Sequence, residues 1–271
     1  MSSRFYYHDR QGHGHDRASL TIDELRKCVH DTYWRLRNDG YLTEAFGYKF
    51  KDVAYAGTMR PDPRTCGVLK LHKRGLFPPV EGASYSEEDL FAILEFMHDY
   101  VSAQRRVFLG LSFDRNAGQK EYRGMVNDFL QMYGVGWEMS QAGEICRLPE
   151  SGLESIFGEL PSSEDKNNID TRLTLAISSF RRYPATAEAR RDAVRTLTDI
   201  LEYLRPQIKG LLTKADEADL FNLANNFGIR HHNDRQKTDY DPEIWLDWMF
   251  YYYLATCRTL LRLIGKGVTG N

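Results

Sequence analysis

Three segments in the first half of the chain carry apolar residues at helical spacing. The first begins at Thr21 with Glu24 three residues later, which predicts a capping box, and Gly40 fits a stop. The second begins at Ser86, a good N-cap that acidic residues follow. The third, QKEYRGMVNDFLQMYG, ends at Gly134. Three helices are therefore predicted. The apolar stripes of the first two are Ile22, Leu25, Val29, Tyr33 and Leu36, and Leu90, Ile93, Leu94 and Met97.

The rest of this half is predicted to be less regular. Residues 1–17 are polar and rich in Gly and His, which is typical of a flexible tail. Residues 41–85 contain four prolines and scattered glycines, which indicates irregular chain with short strands at best. Two short apolar–polar alternations flank QAG and predict a β-hairpin over Trp137–Arg147. We interpret residues 18–160 as a mostly helical region with a proline-rich excursion and one small hairpin.

Residues 161–271 have helical periodicity almost throughout. The polar segment LPSSEDKNN, residues 160–168, predicts a boundary in front of four helical segments. Pro184, Pro206 and Pro242 separate or start these segments, as proline does at helix ends and first turns. Four helices with short links favour a bundle. The expected fold class is therefore mainly α: a C-terminal four-helix bundle, a helical N-terminal region and one small hairpin.

Composition and charge limit the function classes. The chain has 271 residues, of which 42% are hydrophobic and 27% charged, a typical globular composition. A net charge of −2 does not indicate a strongly basic nucleic-acid-binding domain, so any site for a polyanion must be local. The four cysteines are scattered, which favours neither a disulfide framework nor a cysteine zinc site. Because no apolar stretch of signal-peptide length precedes residue 18, we expect a reducing, cytoplasmic location.

One segment is long enough to suggest a membrane span. Ile244–Ile264 is rich in aromatic residues and about as long as a bilayer crossing requires. The segment is interrupted by Asp247, Arg258 and Arg262. Charged side chains within the bilayer interior are costly and rare. The segment therefore predicts a buried aromatic helix of the bundle, and no membrane partner is expected.

The candidate chemistry lies in NNFGIRHHNDRQKTDY, residues 225–240, between the third and fourth bundle helices. Arg230 offers a planar set of donors suited to phosphate, and His231 and His232 titrate near neutral pH. With a histidine as base and Arg230 stabilising charge, these residues would suffice for metal-free RNA cleavage. Side-chain amides in the stretch could bind bases or ribose. They belong to Asn225, Asn226, Asn233 and Gln236.

Two other interpretations of this stretch stay open. An Arg-His pair at a helix end often bonds the last carbonyls and complements the helix dipole, which would be a purely structural role. Adjacent histidines point in different directions, so at most one of them normally faces a shared site. A binding role without catalysis is the third possibility. Structure, binding and catalysis are therefore all kept as hypotheses for Arg230, His231 and His232.

Motifs for other chemistries are missing from the sequence. There is no nucleotide-binding glycine motif, no G-x-S-x-G and no H-E-x-x-H. The candidate stretch lacks the acidic shell of a two-metal nuclease, because its aspartates fit turn and cap positions. His8, His13 and His15 lie close together, but a metal site there would have to order a flexible tail. We therefore expect no metal and no cofactor.

The arrangement of an Arg followed by a polar residue ahead of a last long helix resembles the HEPN superfamily. Over most of its length the chain is similar to bacterial abortive-infection proteins of AbiJ-like architecture. The segments that carry this similarity are NNFGIRHHND and IWLDWMFYYYLAT, with GYLTEAFGY and GWEMSQAGEI earlier in the chain. That resemblance implies a helical bundle, a homodimer, and RNA as partner, with metal-independent ribonuclease activity in many members. Of the family's motif, Arg230 and His231 match the Arg-polar start.

The sequence departs from the family at the catalytic histidine. In the HEPN nuclease pattern, four to six residues separate the Arg from a catalytic His. Counted from Arg230, that His would stand at position 235, 236 or 237, and these positions hold Arg235, Gln236 and Lys237. The pair Arg10 and His15 has the right spacing, but it lies in the tail and fits a chance match. We therefore expect either a divergent ribonuclease that uses His232 or a non-catalytic RNA-binding relative. A helical adaptor that binds a protein partner is the alternative.

Aromatic residues of the last helix bear on assembly. They spread around its circumference, more than one face of a single bundle normally needs, and Trp and Tyr are enriched in interface cores. A homodimer through this helix is therefore expected, whereas cover by the N-terminal region would explain the same pattern equally well. The residues are Trp245, Trp248, Tyr251, Tyr252 and Tyr253.

Overall fold

The structure is a computed structural model that describes residues 19–108, 110–158, 160–161, 163–227, 229 and 241–268, with the side chains of the last helix described up to Lys266. Within these residues the chain is mainly helical and carries three two-stranded antiparallel sheets, which confirms the expected fold class. Contacts divide it into two compact units, one extending to Leu148 and one beginning at Pro149. Each unit is described separately below.

The first unit mixes helices and hairpins. Its elements, in chain order, are α1 (Ile22–Asn38), α2 (Thr43–Phe46), β1 (Gly47–Phe50), β2 (Val53–Ala56), α3 (Pro63–Leu71), α4 (Glu87–Tyr100), β3 (Ala103–Val107), β4 (Gly110–Asp114), α5 (Arg115–Leu130), β5 (Trp137–Met139) and β6 (Ile145–Arg147).

Helices α1, α4 and α5 form the core of this unit through the apolar stripes that the sequence predicts. Thr21 caps α1 with Glu24 in a capping box, and Ser86 caps α4 in the same way with Asp89, so both predicted starts are confirmed. Tyr122 of α5 is fully buried and donates its hydroxyl to the carbonyl of Leu94 at 2.9 Å. The predicted hairpin at β5–β6 is also confirmed, with Trp137 opposite Arg147.

The segment 41–85 is more regular than its prolines indicate. It contains the hairpin β1–β2 and the helix α3, where only irregular chain or short strands were expected. Asp62 caps α3 through the Thr65 amide at 3.0 Å, and Pro63 occupies the first helical position, where its missing N–H costs nothing. A third hairpin, β3–β4, lies between α4 and α5. The first unit therefore contains more hairpins than the one that the sequence predicts.

The second unit is a four-helix bundle with two short turns in front of it. A 3-10 turn (Glu154–Phe157) and a π turn (Lys166–Asp170) precede the helices. The helices are α6 (Thr171–Arg181), α7 (Ala187–Leu204), α8 (Lys214–Asn226) and α9 (Pro242–Val268).

Contacts between side chains define an up-and-down bundle. Arg205 directly after α7 bonds Glu217 in the first turn of α8, and Arg195 in the middle of α7 bonds Ile229 after α8, so these helices are antiparallel. The same reasoning makes α7 and α9 parallel, because Arg190 pairs with Asp247 and the Cys257 thiol donates to the Leu197 carbonyl. The starts of α7 and α9 and the end of α8 therefore lie at one end of the bundle.

The second unit begins earlier along the chain than the boundary at 160/161 that the sequence indicates. The unit starts at Pro149, and apolar residues ahead of that boundary, Ile156, Phe157 and Leu160, pack against the bundle core. Phe157 stacks on Phe250 of α9 with ring centroids 6.2 Å apart. The polar segment from Leu160 to Asn168 is thus an internal turn of the unit.

The aromatic helix α9 belongs to the bundle core along one side. Leu246, Met249, Phe250, Tyr253 and Leu254 are completely buried. Across the described ranges, no helix is both long enough and apolar enough to cross a membrane.

Candidate functional site at one end of the bundle

Most of the residues predicted to carry the chemistry fall where the chain is not described. Arg230, His231, His232, Asn233 and Gln236 all lie outside the described residues. Asn225 and Asn226 are the last two residues of α8, and they differ in environment: Asn225 is half-buried, while Asn226 is exposed. What the structure does define is how the chain enters and leaves the candidate stretch.

The entry to the stretch is fixed by a buried residue. The side chain of Ile229 is completely buried, and its amide donates to the Ala224 carbonyl at 3.0 Å, which closes the C-terminal turn of α8. Phe227 packs against Trp245 of α9, with ring centroids 4.9 Å apart. Arg230 therefore follows directly after a point that is held between α8 and the bundle core.

Arg195 of α7 ties this point to the neighbouring helix. Its Nε donates to the Ile229 carbonyl at 2.7 Å, and its Nη1 pairs with Asp192 at 2.8 Å. The Arg195 side chain is 43% exposed, so the guanidinium reaches both the backbone and solvent. It holds the peptide unit immediately before Arg230, and a second arginine thus lies near the candidate residue. No motif in the sequence marks Arg195 as part of the candidate site.

The exit from the stretch is a helix cap. The Asp241 carboxylate accepts hydrogen bonds from the Glu243 and Ile244 amides at 2.9 and 3.4 Å, at the first turn of α9. Thr186 caps α7 by accepting from the Ala189 amide at 3.1 Å. Two helix N-termini therefore meet at this end of the bundle, and the positive end of a helix dipole favours anions.

A buried ion pair joins the starts of α7 and α9. Arg190 pairs with Asp247, and the two side chains are only 12% and 17% exposed. The Arg190 guanidinium also lies over the Phe180 ring at 4.6 Å, and Phe180 stacks on Phe250 with centroids 3.7 Å apart. Because Asp247 compensates its charge, Arg190 serves the packing of this end more than it offers a site for phosphate.

Exposed aromatic rings of α9 lie beside this end. Trp248 is 45% exposed and Tyr252 is 39% exposed, and their rings stack at 5.7 Å. Burial raises the pKa of the Tyr252 hydroxyl, and the carboxylates of Asp219 and Asp216 on α8 raise it further. The aromatic face is therefore bordered by negative charge on its α8 side.

The other rings of α9 are covered. Tyr253 is completely buried, and its hydroxyl donates to the Leu220 carbonyl at 3.0 Å. Tyr251 packs edge to face on Phe157 at 5.6 Å and accepts from the Glu150 amide at 3.3 Å. Residues just ahead of the bundle thus cover part of the aromatic surface, and Trp248 and Tyr252 remain exposed to solvent.

The described part of this end carries both positive and negative groups but no set of metal ligands. Arg195 and two helix N-termini supply positive potential, whereas Asp192, Asp241 and Asp247 partly neutralise it. Throughout the described ranges, no group of three or more His, Cys, Asp or Glu side chains is placed to hold a metal ion. Metal-independent chemistry by Arg and His would therefore depend on residues 230–232.

Comparisons with known proteins give one partial likeness. No protein-family model matches the chain, and no solved structure matches it. Over 207 residues it is 22% identical to chromodomain-helicase-DNA-binding protein 8 of Danio rerio. The match covers 70% of this chain but 8% of that protein, so the chain spans less than a tenth of its relative's length. A likeness of this size does not place the chain in a family.

Proposed function

We propose that this chain is an RNA-directed protein of the abortive-infection type, working in the cytoplasm as a homodimer. It is either a divergent metal-independent ribonuclease or a non-catalytic RNA-binding relative. The observation that carries the proposal is the anchoring of Ile229: Arg195 Nε donates to its carbonyl at 2.7 Å, at the end of the bundle where α7 and α9 begin. This is an arrangement that favours a phosphate.

In the catalytic form, the chemistry needs only groups of this chain and water. His232 takes the proton from a ribose 2′-hydroxyl, and the oxygen attacks the adjacent phosphorus to form a 2′,3′-cyclic phosphate. The bond to the 5′-oxygen breaks as that oxygen takes a proton from water. Arg230 stabilises the charge that develops on the phosphoryl oxygens, and Arg195 adds positive potential. In the non-catalytic form, Arg230 and His231 bind the same phosphate, and the amides of Asn225, Asn226, Asn233 and Gln236 contact the nucleotide.

Cleavage of RNA in the presence of EDTA tests the proposal. The full chain should cleave total RNA without metal, and Arg230→Ala or His232→Ala should each reduce the rate by about 100-fold or more, as loss of a charge-stabilising or proton-transferring group does. Arg205→Ala is the matched control, because Arg205 lies at the opposite end of α7 and pairs with Glu202 and Glu217. That variant should cleave at the wild-type rate.

The other outcomes separate the remaining hypotheses. RNA binding that depends on Arg230 without any cleavage would support the non-catalytic relative. Cleavage that survives both substitutions would show that another site or a contaminant is responsible. An absence of both cleavage and RNA binding would contradict the proposal and favour an adaptor.

The adaptor alternative has an observation of its own. Trp248 and Tyr252 stay exposed on α9, and Asp216 and Asp219 lie on the side of that face towards α8. An aromatic surface bordered by carboxylates fits a protein partner with basic side chains better than it fits a phosphate backbone. Trp248→Ala should therefore weaken binding to such a partner and leave RNA cleavage unchanged.

A further inference from the structure

The two hairpins that the sequence did not predict form one surface in the first unit. Tyr48 of β1 packs edge to face on Phe113 of β4 with centroids 5.6 Å apart, and the Phe50 ring lies next to Gly110. Across β1–β2, Tyr48 stacks on Tyr55 at 4.7 Å, with the rings 6° from parallel. We call residues 47–56, 103–108 and 110–114 the double hairpin.

The double hairpin exposes large apolar side chains. Phe108, at the turn of β3–β4, is 95% exposed, and Val107 beside it is 49% exposed. On the other hairpin, Val53 is 54% and Tyr55 41% exposed. Single exposed apolar residues are common, but four on two hairpins in contact with each other indicate an interaction surface.

The double hairpin also carries exposed positive side chains. Four exposed cations lie on the double hairpin, and within the described part of the chain none of them forms an ion pair. One of them lies over the Phe50 ring at 5.5 Å. The acidic residues of the surface are Asp52 and Asp114, and Asp114 is engaged in capping α5 through the Ala117 amide at 2.9 Å. The four cations are Lys49, Lys51, Arg105 and Arg106.

The register of the strands brings charge and rings to the same side. Gln104 is opposite Phe113, and Arg106 is opposite Leu111. Because side chains two residues apart along a strand share a face, Arg106 lies on the face that carries Phe113 and contacts Tyr48. Arg106 therefore lies on the ring-bearing face, whereas Arg105 and Lys49 lie on the opposite faces of their strands.

Close backbone packing fixes the base of each hairpin. A Cβ on Gly57 would lie 2.1 Å from the Ala45 carbonyl oxygen, and a Cβ on Gly118 would lie 2.5 Å from the Ala103 amide nitrogen. The Ser102 amide donates to the Tyr41 carbonyl at 2.9 Å. Both hairpins are therefore seated on the helical core through their bases, while their strands and turns stay open to solvent. Such a surface loses little conformational entropy when it binds.

We propose that the double hairpin binds single-stranded nucleic acid. Arg106 and Lys51, the cations nearest the rings, contact phosphates, a base extends the Tyr48–Tyr55 stack on the exposed side of Tyr55, and another base stacks on Phe108. Stacking on aromatic rings beside a positively charged strand is the general mode of single-strand binding, and it tolerates any base sequence. The surface lies in a different unit from the candidate site, so this inference stands apart from the proposed ribonuclease.

Binding to a DNA oligonucleotide tests the inference without involving RNA cleavage. The full chain is titrated into fluorescent 20-nucleotide oligodeoxythymidine and followed by anisotropy over a salt series. With two phosphate contacts, the plot of log affinity against log salt should have a slope of about −1.4. Lys51→Glu with Arg106→Glu should lower affinity at least about tenfold at low salt and bring the slope close to zero. Tyr55→Ala should lower affinity at least about fivefold, whereas Tyr55→Phe retains the wild-type value.

The control carries the same change of charge elsewhere. Lys209 and Lys214 are exposed near the far end of the bundle, and Lys209→Glu with Lys214→Glu should leave DNA binding unchanged. Circular dichroism and the melting temperature show whether each variant is folded.

Three results would overturn the inference. The first is an absence of DNA binding by the wild-type chain at low salt. The second is an equal loss in the hairpin variant and the control variant, which would indicate a non-specific charge effect. The third is binding to phosphatidylserine vesicles that depends on Phe108 while DNA binding does not, which would assign the exposed turn to a membrane surface.

Discussion

At the scale of single residues, Arg190 links three helices of the bundle. Its guanidinium pairs with Asp247 of α9 and covers Phe180 of α6, while its backbone belongs to the first turns of α7. The aliphatic stem adds packing that a change of charge alone would not remove. The pair therefore holds the end of the bundle from which the candidate stretch emerges.

Removing the guanidinium while keeping the stem should destabilise this end. Arg190→Met leaves the Asp247 carboxylate largely buried without its cation, and we expect a loss of about 2–4 kcal/mol in the free energy of unfolding. Urea denaturation measures it. Arg172→Met is the control, because Arg172 and Asp199 are 3.6 Å apart and 38% and 37% exposed. An exposed pair contributes below about 1 kcal/mol, so equal losses in the two variants would contradict the role given to Arg190.

The position of Arg195 is a residue-scale feature that the sequence could not reveal. Its acceptor is a backbone carbonyl 34 residues further along the chain, and a backbone acceptor leaves no pattern in the residue types. The cluster Arg230, His231 and His232 is visible because its side chains carry recognisable chemistry. Whether these three come together is a question of tertiary geometry, and the described residues fix only the two ends of their segment.

At the scale of elements, helices were predicted well because their signals are local. Capping boxes and apolar stripes depend on residues three or four apart, and those at Thr21 and Ser86 formed as expected. The hairpin β1–β2 was missed because its turn uses Lys51 and Asp52 at positive φ, 47° and 65°, where Asn-Gly or Asp-Gly is the usual signal. Helix α3 did carry a signal, Asp62-Pro63, which the neighbouring prolines obscured.

The hairpin β5–β6 is positioned by contact between its turn and a buried histidine. Gly143, in the turn, has a φ of +86°, and a Cβ there would lie 2.2 Å from Nδ1 of His98. Burial, and then the charge of Arg123, lower the pKa of His98, so its ring stays neutral near pH 7. The ring has little room to move because Arg123 lies 3.2 Å from its Nε2.

Gly143→Ala should therefore be more damaging than a substitution that only strains the backbone. We expect a loss of about 3 kcal/mol or more in unfolding free energy, since the new methyl group clashes and the residue must also adopt a left-handed conformation. Gly82→Ala is the control, because Gly82 has a φ of +75° with nothing within 4 Å of the added carbon. The free energy of unfolding of the Gly82→Ala variant should fall by only about 1–2 kcal/mol.

Combining the substitution with a smaller partner identifies the cause. His98→Ala with Gly143→Ala should cost less than the sum of the two single losses, because removing the ring makes room for the methyl group. Additive losses, or equal losses at Gly143 and Gly82, would show that contact with His98 does not position the hairpin.

At the scale of the whole molecule, each unit has an exposed aromatic surface among its described residues. In the first unit it is the double hairpin, which carries cations. In the second it is the face of α9 that contains Ile244, Trp248 and Tyr252, which are 67%, 45% and 39% exposed and spaced one turn apart. These three residues form a continuous apolar stripe with carboxylates on its α8 side. The different charges suit different partners, and the stripe on α9 is the surface through which we propose that two chains associate.

The apolar stripe on α9 predicts a dimer, and one negative charge introduced into the stripe should dissociate it into single chains. Light scattering at tens of micromolar should give about twice the 31.4 kDa of one chain, because an α9–α9 contact across a two-fold axis brings Trp248 and Tyr252 of both copies together. Trp248→Asp should return the mass to that of one chain with an unchanged melting temperature, since Trp248 is not part of the bundle core. Leu175→Asp, at an α6 residue that is 57% exposed, is the matched control and should stay dimeric. A monomeric wild-type chain would contradict the proposed homodimer, and unfolding of Trp248→Asp would mean that this face packs within the molecule.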